Sequence, residues 1–344
     1  MKVLGIETSC DECSASVVED GEKILSNVIA TQIPFHAPWS GVVPEIASRK
    51  HTEWIYAVTK EALDKAELKV DDIDAVAVTS RPGLLGSLLV GLSFAKAFAW
   101  ARNIPFIAVD HMLAHLYAPR LVADNRPEYP FLGLLVSGGH TIICRADNFD
   151  DITVLGTTID DAAGEAFDKV AKFYNFGYPG GVVIEKLSHN GDSGAFRFPM
   201  PSLHKGKPSK KAHRYDVSYS GLKTAVVNQL EMFKVKEGEI KNEDIAASFQ
   251  KTAVEILLRA LLNAAEDTGL STIVAGGGVA ANSLLRSRLA EQAHLNCIFP
   301  PLELCGDNAA MIAGIGYHYL ARGERSSFNV TASARVSGFK KKYP

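Results

Sequence analysis

Two histidines, His111 and His115, stand four residues apart in the segment DHMLAH at positions 110–115. On a helix this spacing puts both imidazoles on one face, with Cβ atoms about 5–6 Å apart, so that the two rings can share one metal ion. Structural histidines also occur at this spacing, and the motif alone slightly favours that structural use. A zinc-peptidase motif is excluded, because Met112 stands where H-E-x-x-H requires its catalytic glutamate.

A third metal ligand would have to come from a distant part of the chain. Asp307, at the start of a predicted terminal helix at 307–321, is the best candidate. An aspartate at the start of a helix is also a common N-cap, and position alone favours that structural use. The sequence therefore leaves the role of Asp307 open between ligand and cap.

Three glycine-rich turns in the second half of the chain predict a nucleotide site. They are SGGH at 137–140, YPGG at 178–181 and GGG at 276–278, and the last leads from a strand into a predicted helix at 279–290. Backbone N–H groups in such turns can hold phosphates. None of the turns is a Walker A loop, because no Gly-Lys-Ser/Thr follows them.

Charged residues form three further clusters. One acidic cluster consists of Glu7, Asp11 and Glu12. A second acidic cluster has Asp161, Glu165 and Asp168 at helical spacing. The third cluster is a basic run without acidic residues: Lys205, Lys207, Lys210, Lys211 and Arg214. An acidic cluster is either a solvated face or a set of contacts to ribose hydroxyls or a reacting proton. The basic run is either a solvated loop or a contact for nucleic-acid phosphates.

The elements around these residues repeat in the two halves of the chain. Each half opens with three short strands separated by turns and continues with helices, and the strands are predicted at 3–6, 13–18, 23–28, 131–136, 141–144 and 153–156. This pattern indicates an internal duplication. It predicts an α/β protein of the two-lobed actin/Hsp70/sugar-kinase fold class, with duplicated ribonuclease-H-like lobes facing a nucleotide cleft. We expect a first lobe at 1–127, joined by the terminal helix at about 306–330, and a second lobe at 128–305.

Length and composition agree with two soluble domains. The 344 residues exceed one ordinary core, and the net charge of −3 means that any nucleic-acid contact must be local. Five cysteines are too few and too scattered for a disulfide framework. The N-terminus lacks a signal-peptide pattern, and the uncharged stretch at 82–95 is too short to span a bilayer. We therefore expect a cytoplasmic protein without membrane association.

Nine motifs, in this order, resemble those of one known family. They are GIETSCD (5–11), GVVPEIASR (41–49), PGL (82–84), HMLAH (111–115), VSGGHT (136–141), GEAFDK (164–169), SGLKT (220–224), GGGVAAN (276–282) and DNAAM (307–311). Together they resemble the bacterial TsaD branch of the tRNA threonylcarbamoyladenosine-synthesis family, formerly called O-sialoglycoprotein endopeptidases. The resemblance covers nearly the whole chain.

The resemblance implies a metal site and an adenylate site. His111, His115 and Asp307 would bind one divalent metal ion per subunit, iron(II) or zinc, in place of the structural uses above. The residues implied to bind threonylcarbamoyl-AMP are Leu135, Val136, Ser137, Gly138, Gly139, Asp168, Gly181, Glu185 and Asn282. The implied reaction transfers the threonylcarbamoyl group to N6 of adenosine 37 in tRNAs that read codons beginning with A. The implied partners are a sister-fold subunit, TsaB, and a small ATPase, TsaE.

Some positions depart from the family pattern. Glu12 and Cys13 stand where Asp and Thr are usual, Arg81 replaces the glycine before Pro-Gly-Leu, and Glu185 is one methylene longer than the usual aspartate. The last change puts its ribose contact in question. None of the four positions belongs to the implied metal set.

The implied chemistry needs an activated carbonyl and a proton acceptor. Adenine N6 is a poor nucleophile, so a mixed anhydride supplies the leaving group and a metal polarises the carbonyl. Asp11 is the candidate for accepting the amine proton. A small-molecule kinase or ATPase of the same fold class, and a non-enzymatic nucleotide-binding scaffold, are the alternatives. Neither needs the imidazole-rich metal set, which favours the transferase.

Overall fold

The computed structural model describes residues 1–122, 126–201, 213–233, 241–335 and 340–341. The chain divides into two compact units. The first comprises Met1–Pro127 and Pro300–Phe339, and the second comprises Glu128–Phe299 and Lys340–Pro344. Within the described residues, no helix is long and apolar enough to cross a membrane. All five cysteines are free thiols.

The first unit is a five-stranded sheet with helices on it. Its elements are β1 (Lys2–Glu7), β2 (Glu12–Glu19), β3 (Lys23–Thr31), α1 (Ile33–His36), α2 (Pro44–Lys65), β4 (Ala75–Arg81), α3 (Leu85–Arg102), β5 (Phe106–Asp110) and α4 (His111–Tyr117), followed much later by the two helices at Leu302–Cys305 and Ala309–Ala321. The strand order is β3-β2-β1-β4-β5. β1 pairs antiparallel with β2 and parallel with β4, and β4 pairs parallel with β5.

The second unit repeats this plan. Its elements are β6 (Phe131–Val136), β7 (Thr141–Ala146), β8 (Ile152–Thr157), α5 (Ala163–Phe173), α6 (Gly180–Ser188), α7 (Ser220–Phe233), α8 (Asn242–Thr268), β9 (Thr272–Gly276), α9 (Ser283–Ala290), β10 (Asn296–Ile298) and β11 (Lys340–Lys341). The sheet order is β10-β9-β6-β7-β8-β11. Its first five strands therefore match the first unit strand for strand, which confirms the predicted duplication.

The two helices of the first unit that come last in the chain are α10 (Leu302–Cys305) and α11 (Ala309–Ala321). α11 packs directly on β1, because both surfaces carry very small side chains. A Cβ atom on Gly5 would lie 2.2 Å from the carbonyl oxygen of Ala309 and 2.9 Å from the Cβ of Ala313. Only a glycine at this position allows so close an approach. The contact holds the start of α11 against the middle of β1.

Two predicted helices differ in the structure. The segment predicted as one helix at 279–290 is a 3-10 turn, Gly278–Ala281, followed by α9. Asn282 separates them, and its side chain accepts a hydrogen bond from the N–H of Leu285 as the N-cap of α9. The terminal helix begins at Ala309 rather than Asp307, with Asn308 as its N-cap. The N-cap interpretation of Asp307 is therefore wrong, because the neighbouring residue already caps the helix.

Candidate functional site

The carboxyl ends of three parallel strands meet at one edge of the first sheet. Glu7 ends β1, Arg81 ends β4, and Asp110 ends β5. Residues that follow parallel strands at such an edge are brought together by the sheet itself. His111 comes directly after β5, so this edge is where the predicted metal pair lies.

The histidine pair lies on α4 and faces Asp307. The Nε2 atoms of His111 and His115 are 3.1 Å apart. Asp307 Oδ1 lies 3.3 Å from the first of these atoms and 3.2 Å from the second. The His115 side chain is 1% exposed and that of Asp307 19% exposed, so the three groups share a nearly dry pocket. The structure therefore joins residues separated by almost 200 positions.

This geometry fits one divalent metal ion. All three ligand atoms lie within 4.8 Å of one another. A tetrahedral ion with bonds of about 2.0–2.1 Å holds its ligand atoms about 3.3 Å apart, which is close to the observed separations. Two imidazoles and one carboxylate also leave coordination positions for a substrate. The triad can therefore hold a metal cofactor.

Glu7 contacts the metal pair from the side away from Asp307. Its Oε2 lies 2.9 Å from His111 Nδ1 and accepts a hydrogen bond from the hydroxyl of Thr79. Its Oε1 accepts from the backbone N–H of Ser9. A proton held on Nδ1 by a carboxylate leaves Nε2 of the same ring free as a ligand. Sequence reasoning missed this partner, although Glu7 lies in the GIETSCD motif.

The pocket favours a positive charge. Burial lowers the pKa of His111, but the Asp307 and Glu7 carboxylates outweigh burial and hold that pKa well above its usual value. Burial and the charge on His111 both lower the pKa of His115. Burial raises the pKa of Asp307, and the two histidines more than reverse this shift. Without a metal, the two carboxylates therefore stabilise a protonated imidazole, and a divalent ion would replace that charge.

Asp307 is held in place by its neighbours in the chain. The side chain of Asn308 accepts a hydrogen bond from the N–H of Met311, and its amide donates to the Gly306 carbonyl. The N–H of Ala309 donates to the hydroxyl of Ser14 at 2.9 Å. These bonds leave the Asp307 carboxylate directed at the histidines.

The turn that carries Asp11 is also fixed by the surrounding helices. The Cys10 carbonyl accepts from Nε2–H of His51 at 2.8 Å, and the Asp11 carbonyl accepts from the N–H of Gln32. The Asp11 residue is 9% exposed. Burial and the Asp11 and Asp307 charges raise the pKa of Glu12 well above its usual value. Asp11 thus lies in a strongly acidic, partly dry region of the first unit.

In the second unit, the segments that carry the predicted adenylate-binding residues contact one another in a closed series, which we call the ring. The series runs from the turn after β6 through α5 and α6 to the start of α9. The turn after β6 begins the ring, because Gly277 packs against Val136: a Cβ on Gly277 would lie 2.4 Å from the Val136 carbonyl oxygen. On its other side, the carbonyl of Ser137 accepts from the N–H of Gly164 at the start of α5. No atom lies within 4 Å of a Cβ built on Gly138 or Gly139, so their backbone is open to a ligand.

The ring continues through α5 and α6. Asp168 on α5 accepts a hydrogen bond from the N–H of Gly180 at 2.7 Å, which places the open Gly181 beside it. Farther along α6, Glu185 Oε1 accepts from the N–H of Ser283 at 2.9 Å, and Oε2 lies 3.5 Å from Asn282 Nδ2. Asn282 follows the turn that carries Gly277, which closes the ring.

Glu185 and Asn282 are therefore engaged with protein groups. Asn282 Nδ2 also donates to Gln250 Oε1 at 3.0 Å, a partner that the sequence did not indicate. Both carboxylate oxygens of Glu185 face the start of α9. A contact from Glu185 to a ribose would compete with these bonds.

The remaining charged clusters have structural partners where they are described. Asp161 lies before α5 rather than on it, and pairs with Lys169 at 2.6 Å and Lys223 at 3.0 Å. Lys169 also pairs with Glu165, so this cluster is no freely solvated face. Of the predicted basic run, Arg214 pairs with Glu266 and Asp267, and these pairs argue against a free phosphate contact there. The lysines of that run, Lys205, Lys207, Lys210 and Lys211, lie outside the described residues.

Comparison with known proteins decides the family. The family described as "TsaD: tRNA N6-adenosine threonylcarbamoyltransferase" matches residues 23–314. The chain belongs to this family. A protein of that name from Treponema denticola is 67% identical and one from Treponema pallidum 57% identical; the alignments cover 99% of this chain in both cases, and 99% and 95% of the relatives.

Solved structures support the fold class. T. kodakarensis HypF superimposes with a TM-score of 0.61 at 14% identity, over 93% of this chain and 48% of that one. At that identity the likeness concerns the fold alone, and it confirms the two-lobed actin/Hsp70/sugar-kinase-like class. Membership of the transferase family confirms the predicted activity: this TsaD-family chain is an acyltransferase that makes threonylcarbamoyladenosine in tRNA. Its substrate therefore includes tRNA.

Replacing Glu7 with glutamine should lower metal affinity about 10–100-fold, the usual effect of losing a carboxylate behind a metal-bound histidine. Both oxygens of Glu7 accept hydrogen bonds, from Ser9 on one side and from Thr79 and His111 on the other. An amide has one accepting end, so one of these donors must face an NH₂ group. The measurement is metal affinity by competition with a chelator.

Thr79→Val is the matched control for Glu7→Gln. It removes one hydrogen bond to Glu7 but leaves the contact with His111 intact. We expect its metal affinity to stay within a few-fold of wild type. Equal affinities for wild type and Glu7→Gln would show that this carboxylate does not orient His111.

Proposed function

We propose that the chain transfers the threonylcarbamoyl group from threonylcarbamoyl-AMP to N6 of adenosine 37 in tRNAs that read codons beginning with A. The observation that carries this proposal is the convergence of His111, His115 and Asp307 in a buried pocket of the first unit. A small-molecule kinase or an actin-like scaffold has no use for such a pocket.

The three ligands would hold iron(II) or zinc, one ion per subunit. Two histidines and one carboxylate with open positions suit either metal, and Asp307 adds the negative charge that a dication needs. When bound, the ion would act as a Lewis acid that polarises the threonylcarbamoyl carbonyl. Glu7 would keep His111 in the tautomer that presents Nε2.

The ring of the second unit would bind the adenylate. The open backbone at Gly138, Gly139 and Gly181 supplies N–H groups for its phosphate, as in other glycine-rich anion sites. Other members of the predicted set would shape the rest of the pocket: Leu135, Val136, Ser137, Asp168, Glu185 and Asn282. Asp168 already orders Gly180, so its effect on the phosphate turn would be indirect.

Asp11 would accept the proton that leaves adenine N6. Its carboxylate lies in the turn next to the metal pocket, and the carbonyls of Cys10 and Asp11 are both held by donors from neighbouring segments. A general base must be positioned before its basicity matters. We propose this role for Asp11 rather than for Glu12, whose raised pKa favours the protonated form.

A complete cycle would involve other proteins. The family resemblance supports a TsaB-like sister subunit and a TsaE-like ATPase as partners in bacteria. Their action would lie outside the chemical step itself. Because tRNA is modified in the cytoplasm, we propose that compartment for the chain.

Transfer from preformed threonylcarbamoyl-AMP should proceed without ATP, because the mixed anhydride already carries the activation energy. The experiment mixes the metal-loaded chain, the partners, the adenylate and unmodified tRNA, and measures nucleosides by mass spectrometry. We expect threonylcarbamoyladenosine in the first turnover. A first turnover that requires ATP hydrolysis, or ATP-dependent phosphorylation of a small molecule instead, would contradict the proposal.

A further inference from the structure

Arg81 is an exposed cation at the edge of the sheet where the metal pocket lies. It is the last residue of β4 and stands opposite Asp110, the last residue of β5. Its Nε lies 3.3 Å from Asp110 Oδ2. The Arg81 side chain is 43% exposed, whereas that of Asp110 is 2% exposed. The buried carboxylate therefore holds one edge of a guanidinium whose remainder faces solvent.

The exposed part of this guanidinium is oriented for a second acceptor. Asp110 is itself fixed, because its Oδ1 accepts from the N–H of Met112 at the start of α4. In the described part of the chain, the two Nη groups of Arg81 make no hydrogen bond. A guanidinium held through Nε keeps a planar pair of Nη donors, the geometry that binds phosphate oxygens in a bidentate manner.

A second arginine is attached to the same strand end. The N–H of Ser333 donates to the carbonyl of Ser80, the residue before Arg81, at 2.9 Å. Two residues later, the N–H of Arg335 donates to the hydroxyl of Ser333 at 3.2 Å. Arg335 is exposed. The backbone of Arg335 therefore lies two residues from a direct hydrogen bond to the end of β4, the strand that carries Arg81.

Arg81 stands beside a strongly acidic region, because its partner Asp110 caps the helix that carries the two histidines. Asp307 is part of the metal pocket, Glu7 contacts His111, and the charges of Asp11 and Asp307 both act on Glu12 nearby. A polyanionic substrate that approaches this region meets repulsion, and local cations are needed to offset it. A metal ion in the pocket would supply part of that charge, and cations nearer the surface would supply more.

We propose that Arg81 and Arg335 form a phosphate-binding pair that holds the tRNA backbone beside the metal pocket. Arg81, positioned by Asp110, contacts one phosphate and Arg335 contacts another. Such contacts position the substrate without reading its sequence. The inference rests on the proposed function only in taking tRNA as the polyanion, and it says nothing of the adenylate, which the second unit would bind.

The test measures binding of an unmodified tRNA to the full-length, metal-loaded chain at several salt concentrations. Each lost phosphate contact should reduce the slope of log affinity against log salt by roughly 0.7. We expect a reduction of about that size in Arg81→Gln and in Arg335→Gln, and about twice that in the double variant. Arg102→Gln is the matched control: Arg102 also pairs with an aspartate, Asp71, and its side chain is 35% exposed, but it ends α3 instead of β4.

Replacing Arg81 leaves the buried Asp110 carboxylate without its counter-charge, which by itself destabilises the protein. A second variant therefore separates this structural effect from the loss of a phosphate contact. Arg81→Gln/Asp110→Asn removes both charges and keeps a side chain that can cap α4. Normal metal content and melting temperature with a reduced salt slope in this variant would support the phosphate contact. Wild-type slopes in both Arg81 variants would overturn it and leave Arg81 as the partner of Asp110.

A measurement of AMP affinity distinguishes a phosphate of the tRNA backbone from the phosphate of a free nucleotide. Affinity for AMP should not change in any of these variants. If AMP binding falls while the tRNA slope stays at the wild-type value, the pair contacts the nucleotide and the proposal is wrong. Absence of threonylcarbamoyl transfer by the wild-type chain would count against the proposed function alone, because the salt slope is a binding measurement.

Discussion

Replacing His115 with alanine should abolish both metal binding and threonylcarbamoyl transfer. The substitution removes one of three converging ligand atoms, and among the described residues Asp307 Oδ1 then keeps His111 as its remaining partner in the triad. Lewis-acid assistance contributes several kcal/mol to such reactions, so we expect transfer to fall at least about a thousandfold, or about 4 kcal/mol in the barrier. Metal content by mass spectrometry should fall from about one ion per chain to a small fraction of that value.

His318→Ala is the matched control for the loss of an imidazole from the same unit. His318 lies on α11, where its Nε2 is 2.7 Å from the hydroxyl of Tyr117, and takes no part in the metal triad. Metal content should stay near the wild-type value in this variant. Stoichiometric metal in the variant His111→Ala/His115→Ala, with a folded protein by thermal melting, would refute the ligand assignment.

Replacing Gly277 with alanine should disrupt the adenylate site and destabilise the second unit. Gly277 has φ 92° and ψ 159°, a backbone conformation that is essentially confined to glycine. A Cβ at this position would also lie 2.4 Å from the carbonyl oxygen of Val136. The strain alone should cost about 1–3 kcal/mol, and relief of the clash must move the turn after β6. We expect AMP affinity to fall by at least about tenfold, measured by calorimetry.

Gly278→Ala tests whether this effect belongs to the position or to any added methyl group. A Cβ built on Gly278 has no atom within 4 Å, and its φ lies outside the left-handed region. Its melting temperature should therefore stay close to that of wild type, with a free-energy change within about 1 kcal/mol. If Gly277→Ala melts and binds AMP as Gly278→Ala does, the packing of Gly277 on Val136 does not hold the site together.

Local patterns were enough to predict the elements and part of the site. The repeated strand–turn–strand openings predicted two lobes of one design, and both sheets have that strand order. The spacing of His111 and His115 predicted two rings on one helix face, and they lie on α4. Such patterns are reliable because a strand or a helix turn depends on residues only a few positions apart.

Roles that depend on distant contacts were not readable from the sequence. Asp307 had the position of an N-cap, and its approach to His115 depends on the packing of α11 against β1 at Gly5. Glu7 became a partner of His111 because β1 and β5 end at the same edge of the sheet. Asp and Glu serve equally well as caps, ion-pair partners or ligands, and the choice depends on which groups the tertiary structure brings within about 3 Å.

The sequence by itself therefore determined the family, the duplicated architecture and the residue types available for metal and phosphate binding. The tertiary structure decided which of those residues act together. It joined Asp307 to a histidine pair almost 200 positions away, and turned Glu185 toward the start of α9. The physical reason is that hydrogen bonds and metal ligation act over a few ångströms in space, whereas sequence patterns record only neighbours along the chain.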